Sequence, residues 1–461
     1  MGTVINKYLT RLTKDPKEQN NIKRLGVNMM LQNADLPLYT GTEIQAFQVS
    51  VGLTTGQMGG IGLAGAITSV IIMLLSTCFV DKVRNRVKTA SFMIAGMSLF
   101  PLILLIMCLG PESFRKPQAV QSLMVVFIVV NTIFCSFYGI LWATIFSRSI
   151  RNKIRGRFMG IVGVVGGIAG MLIGLISASA LKLYGFPYGF AIAFSIAVVL
   201  VIISSIIIRG TKELSDLKSN ELPIQLSPLE NLRKVAKMRQ FRILMPANVL
   251  RGLGDGAGCF AMAVGMKRLG LSLEYAGYTT SLVYLAGLFA TILIGLTVDR
   301  FGGGKVIPRV EIFLVIGLMG MVLASNSIAF LAFFLLWQIM ITMEGIAIPL
   351  IHFEIVPVDV IGAFSSLRLL ILAAIGGISS FTVGYLLEFM SPVLIYALCA
   401  GMKLAAGALY WYGVKIIKGE QKAAMEIILE TSSVIPGAHK RTAGDILDKP
   451  LERVAIIRDG D

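Results

Sequence analysis

The sequence predicts an all-α integral membrane protein: twelve transmembrane helices in two pseudo-symmetric six-helix bundles. Three observations predict it. The 461 residues are 55% hydrophobic and 15% charged, against about 25% charged in soluble domains. The apolar residues form one continuous run after another, each long enough as a helix to cross a hydrocarbon core of about 30 Å. Such runs exclude a soluble enzyme, and also a membrane β-barrel, whose strands alternate in polarity. Second, 34 of the 42 Lys/Arg fall on one side of the alternating loops and five on the other, which orients the chain with the rich side cytoplasmic. Third, the two halves repeat. Asn28 and Asp35 recur as Asn248 and Asp255, the pair Asp81-Lys82 as Asp299-Arg300, and Gly139, Gly156 and Phe158 as Gly345, Gly362 and Phe364, at offsets of 220, 218 and 206. Parallel repeats of this kind are a transporter architecture.

The spans fall near 25–50, 57–80, 89–109, 120–145, 158–181, 187–208, 243–266, 275–298, 307–325, 328–351, 360–387 and 391–414. The first is the least apolar, carrying Asn28, Gln32, Asn33, Asp35 and Glu43, and Pro37 and Gly41 break or kink it. It is a span all the same. The basic segment before it and the basic loop at 81–88 share a side only if two spans lie between them, and its repeat in the second half is a span. The organisation is a cytoplasmic segment 1–24, a bundle 25–208, a cytoplasmic linker 209–242 containing Pro223 and Pro228, a bundle 243–414, and a cytoplasmic tail 415–461 that reads as loosely ordered from about 419. The setting expected is the plasma membrane, with both termini inside.

The loop after the eighth span reads Gly295-Leu296-Thr297-Val298-Asp299-Arg300-Phe301-Gly302, with Lys305 beyond. The loop after the second keeps Asp81-Lys82, with Thr77 and Arg84 in the two glycine positions. With the twelve spans, the duplication and the long central loop, this motif resembles the major facilitator superfamily over residues 20–415. The resemblance implies that Asp81, Lys82, Gly295, Asp299, Arg300 and Gly302 form gating loops. The two aspartates would latch one half against the other, with Arg155 and Arg157 as partners. The alternative is that these loop charges only fix orientation. The resemblance also implies that the glycine-rich fifth span slides on the other half. Gly166, Gly170 and Gly174 recur every four residues and, with Gly163 and Gly167, give a smooth face for close helix approach. The eleventh span repeats this more weakly with Gly376 and Gly377. Drug/proton antiporters of the family carry a Gly-Pro in this span, and no proline lies between Gly156 and Phe186.

Ionisable groups inside spans are functional candidates by default, because lipid penalises them. Seven stand out: Asp35, Glu43, Arg251, Asp255, Glu344, Arg368 and Lys403. The resemblance places Asp35, Arg251, Asp255 and Glu344 on the helices that line a central cavity. Burial disfavours a charged carboxylate, so a cavity carboxylate can take a proton and release it as a cation approaches. Arg251 precedes Asp255 by one helical turn and can hold it ionised, leaving Asp35 the better proton carrier. The alternative is an internal ion pair with no transport role. Arg368 either pairs with Glu344 or binds an anionic group on the substrate. Glu43 reads as an outer-end residue, Lys403 as a snorkelling one, and His352 as a loop residue. Tyr39, Gln45, Asn131, Tyr138, Trp142, Tyr284, Trp337 and Gln338 are candidates to line a pocket.

The five cysteines all lie in apolar runs without a C-x-x-C, and there are two histidines, so neither a disulfide framework nor a metal site is expected. No phosphate-binding loop or hydrolase motif occurs. The net charge of +16 follows from topology and implies no nucleic acid. The expectation is a monomeric, cofactor-free, non-enzymatic secondary transporter. It would move a small polar organic solute by alternating access, coupled to a proton or another cation. Its rivals are an efflux antiporter and a non-transporting sensor or scaffold on the same fold.

Overall fold

The structure, a computed structural model, describes residues 13, 15–79, 83, 85–212, 214, 228–301, 303–357 and 360–434. Among them there are helices and no strand. Ten helices are long and apolar enough to cross a membrane. Sequence expectation and structure agree on an all-helical membrane protein built from two bundles; the first segment is broken at Gly41 as expected, and the seventh, expected as one span, is broken as well.

The first segment is two helices, α1 (Pro16–Tyr39) and α2 (Gly41–Ser50). Asp15 caps α1 by accepting from the Lys17 amide, and Pro16 supplies a preset first turn. Thr40 is extended and ends the helix. Gly41 has φ +57°, a conformation that L side chains adopt with difficulty. The remaining helices of the first half are α3 (Thr55–Phe79), α4 (Arg86–Met97) running into α5 (Leu99–Leu109), α6 (Pro117–Ser149), α7 (Asn152–Tyr184) and α8 (Tyr188–Ile208). A short amphipathic helix, α9 (Pro228–Lys237), precedes the second half.

The seventh segment is also broken. Helix α10 (Arg239–Gly254) passes into a 3₁₀ stretch (Asp255–Phe260) and then α11 (Ala261–Leu269). Gly252, Gly254, Gly256 and Gly258 weaken the α-helix here. Gly258 also admits the Trp337 ring where a Cβ would collide. The second half continues with α12 (Glu274–Phe301), α13 (Gly303–Leu323), α14 (Ser327–Ile355), α15 (Ile361–Leu386) and α16 (Pro392–Val434). At 43 residues, α16 is about 65 Å long, so residues read as loose tail from 419 are helical as far as Val434.

The halves meet along two helix pairs, α7 with α12 and α3 with α15. At the end away from the linker they are joined by hydrogen bonds. The Thr42 and Thr280 hydroxyls lie 2.7 Å apart, Gln45 Oε1 accepts from the Met262 amide at 3.0 Å, Ser281 donates to Met171 O at 2.9 Å, and the Gly56 amide donates to Glu388 at 2.8 Å. One hydrophobic core runs across both halves there, through Phe47, Phe190, Phe260 and Phe330. At the linker end the core splits in two, one within each half. No hydrogen bond or ion pair among the described residues is seen to join the halves there. Among the described residues the halves are therefore bonded together through a shared core at one end and separately cored at the other.

The linker end is pinned within the first half instead. Arg151 pairs with buried Glu18 at 2.8 Å, and the Asn21 amide donates to Ser149 O and Lys212 O. These contacts hold the start of α1 against the α6–α7 turn and the first linker residues.

Candidate functional site

Where the halves part, they enclose a cavity of about 640 Å³. Both halves line it, and the helix breaks at Thr40–Gly41 and Asp255–Phe260 sit in its wall. The breaks matter because an interrupted helix turns backbone and side-chain polar groups toward a cavity that an unbroken one would keep to itself. Of the pocket candidates, Tyr39, Gln45, Asn131, Tyr284, Trp337 and Gln338 line the cavity, joined by Thr40, Gln48 and Phe334; Tyr138 and Trp142 do not. The Asn131 carbonyl oxygen is buried there without a hydrogen-bond partner. The wall is aromatic and amide-rich, and among the described residues its one carboxylate is Asp255.

Asp255 opens the 3₁₀ stretch, with its side chain one-third exposed to the cavity. Its partner is Lys403 of α16, with Nζ 2.5 Å from Oδ1. Arg251, one turn earlier, lies instead 3.3 Å from Glu344 of α14. Lys403 also reaches Glu344, at 3.1 Å. Lys403 is thus the hub of the cluster, fully buried and joining the cavity carboxylate to a sealed one. This overturns its reading as a snorkelling residue. Gly254 makes the approach possible, because a Cβ there would collide with the Lys403 stem. Behind the cluster sits Glu311 of α13, buried and electrostatically coupled to Glu344 of the neighbouring α14. It was missed because it lies in the first turns of the ninth span, next to a loop rich in charge.

The other charged candidates are dispersed. Asp35 is buried in α1 behind the cavity wall, where the Tyr39 hydroxyl donates to it at 3.5 Å. Among the described residues no basic side chain pairs with it. Arg368 is buried in α15 away from the cavity, and its Nε has no hydrogen-bond partner. It does not pair with Glu344, whose cations are Arg251 and Lys403. His352 is a buried helical residue and not a loop one; its Nε2 lies 2.8 Å from the Tyr410 hydroxyl, and its ring meets Phe364 edge-on. Glu43 is fully buried, so it does not face the exterior.

The glycines of α7 divide by depth. Gly167, Gly170 and Gly174 abut Leu288, Tyr284 and Ser281 across the interface, and Gly166 abuts Asn33 of its own half. Gly163 meets nothing within 4 Å, which corrects the expectation that it packs against a helix here, because it lies past the point where the halves diverge. Of the gating loops, Asp81, Lys82 and Gly302 lie outside the described residues, as do the side-chain surroundings of Gly295 and Asp299. Arg300 is exposed, with its guanidinium over the Phe301 ring. Arg155 donates to Ser147 O and Ile150 O and so caps the end of α6. Among the described residues no cluster suited to a metal ion occurs.

Comparison with known proteins agrees with this architecture. The nucleoside transporter NupG superposes with a TM-score of 0.66 at 14% identity, covering 86% of this chain and 99% of its own. A D-xylose-proton symporter gives 0.66 at 15%, covering 85% and 97%. A bacterial homologue of the human lysosomal transporter Spinster, in an inward-facing and unoccupied conformation, gives 0.65 at 16%, covering 88% and 98%. At these identities the likeness is one of fold. No curated protein matches the sequence. The profile of the Major Facilitator Superfamily matches residues 26–381, more than half of the sequence, and on that match the chain belongs to the Major Facilitator Superfamily.

Proposed function

We propose that this protein is a proton- or cation-coupled secondary transporter that moves a small polar organic solute through the central cavity, with uptake favoured over export. The observation that carries the reading is the cavity itself. Both halves wall it with aromatic rings and amides, it is sealed at one end by hydrogen bonds between the halves, and a single carboxylate enters it. Aromatic faces and amides suit a neutral polar ring system such as a sugar or nucleoside, the solutes of two of the similar structures. An amphipathic-drug antiporter fits less well with this amide content and with the fifth span's lack of proline. In a cell the parted end would face the cytoplasm, with Arg368 and Glu344 acting inside the protein and not on the solute.

Asp35 is the proposed proton carrier, because it is buried beside a cavity tyrosine and, among the described residues, no cation neutralises it. The Asp255–Lys403–Glu344 cluster is the proposed switch. A proton or cation that neutralises Asp255 would free Lys403 from the cavity wall.

Reconstituted protein, probed with pentoses, hexoses and nucleosides in turn, tests this. One class should drive pH movement across the vesicle membrane in wild type. Asp35→Asn should abolish that pH movement while leaving solute exchange. Uphill uptake that survives Asp35→Asn unaltered removes Asp35 from the role.

A further inference from the structure

A second cavity, of about 500 Å³, lies on the outside of the second half between α13 and α16. Lys305 and Arg309 stand at its mouth, Leu404 and Trp411 form its wall, and Glu311 lies at its base beside Gly407. Lys305 and Arg309 are exposed, whereas Glu311 is 2% exposed. Gly407 leaves room for the glutamate, since a Cβ there would press on Glu311 Cγ at 3.0 Å. Among the described residues Glu311 Oε2 is buried with no hydrogen-bond partner, unusual for a buried carboxylate oxygen.

The base of the crevice is also the far end of the ionisable cluster described above. Glu311 and Glu344 act on each other electrostatically from the packed helices α13 and α14. Glu344 contacts Lys403 at 3.1 Å, and Lys403 contacts Asp255 at 2.5 Å, in the wall of the central cavity. Four ionisable side chains thus connect two cavities that share no lining residue. The charged groups facing Glu311 from the elements around it are Glu344 of α14, Lys403 of α16 and Arg251 of α10, with Lys305 and Arg309 on its own helix. Among the described residues α11 and α12 present none to it.

We infer that the α13–α16 crevice is a lateral proton port, with Glu311 its acceptor and the Glu344–Lys403–Asp255 chain its link to the central site. This rests on the proton-coupled reading above and separates the proton's route from the solute's. In the link Lys403 gives a proton to Asp255, its N–H bond breaking as the Asp255 O–H forms. Glu344, protonated by Glu311, returns a proton to Lys403, and Glu311 is reprotonated from the crevice. Every group but Asp255 is restored, and one proton has crossed from crevice to cavity.

Dicyclohexylcarbodiimide tests the port, because this apolar reagent modifies protonated carboxyls in apolar surroundings and peptide mass spectrometry locates the product. Wild-type protein in lipid nanodiscs should be labelled on Glu311, with less labelling as pH rises. Ala408→Trp, which fills the crevice, should suppress the label. Lys403→Gln, which removes the cation favouring the ionised carboxylates, should increase labelling by about tenfold at a fixed pH well above the wild-type labelling midpoint, the change that 1.36 kcal/mol of lost attraction produces. Absence of the Glu311 label, or labelling unaffected by pH, overturns the port. Equal labelling in Lys403→Gln overturns the link. None of these readings needs a solute, so they are independent of whether sugars or nucleosides move protons in the vesicle assay.

Discussion

Lys403 decides how the charges of the second half are arranged. It is fully buried and holds two carboxylates, Asp255 and Glu344. Removing one partner of a buried ion pair leaves the others uncompensated, at a cost of about 3–5 kcal/mol. Lys403→Met should therefore lower thermal stability in detergent markedly, and adding Glu344→Gln should recover part of the loss, because the two sites couple. Strict additivity in the double variant would argue against the contact. The sequence places Lys403, Glu344 and Asp255 in three separate spans, so each could be recognised as an ionisable group in lipid. Which cation meets which carboxylate depends on how α10, α14 and α16 pack in three dimensions. That is why one-turn spacing favoured Arg251 as the partner of Asp255, and why spacing alone did not single out Glu311.

Among the helices, α7 and α12 form one of the two interfaces between the halves. Toward the closed end Gly277 abuts the Ala178 backbone and Gly174 abuts Ser281, whereas Gly156, Gly160 and Gly163 face open space. Gly277→Val should force the closed end apart. With Thr42→Cys and Thr280→Cys in the same protein, the cysteine pair should then oxidise several-fold more slowly than without the valine. Gly160→Ala should leave that rate unchanged and gain up to about 1 kcal/mol in helix stability. An unchanged rate in Gly277→Val would mean that these helices do not set the closure. The smooth stripe was legible from four-residue spacing, and so was the break in the first segment, from Pro37 and Gly41; the break in the seventh, at the run Gly252 to Gly258, was not read from the sequence. Spacing does not say how far along the stripe contact extends, and Gly163 falls beyond it because the halves diverge before reaching it.

At the scale of the molecule, the apolar runs, the charge bias and the repeat were sufficient to give an all-helical, two-bundle membrane protein of the Major Facilitator Superfamily. Each of those signals is local or periodic and survives in one dimension. The conformation does not. Shared core at one end and divided cores at the other follow from contacts between residues more than 200 positions apart, such as Thr42 with Thr280. We propose that this arrangement is one of two, between which access to the cavity alternates.

The most direct measurement is the distance between spin labels on Arg157→Cys of α7 and Arg300→Cys of α12, both exposed at the linker end, in lipid nanodiscs. Gly277→Val should move the population to a shorter distance by loosening the opposite end. Replacing Thr42 and Thr280 by cross-linked cysteines, sealed before labelling, should hold the population at the long distance. A single distance, the same in the free, wedged and cross-linked proteins, would contradict the claim.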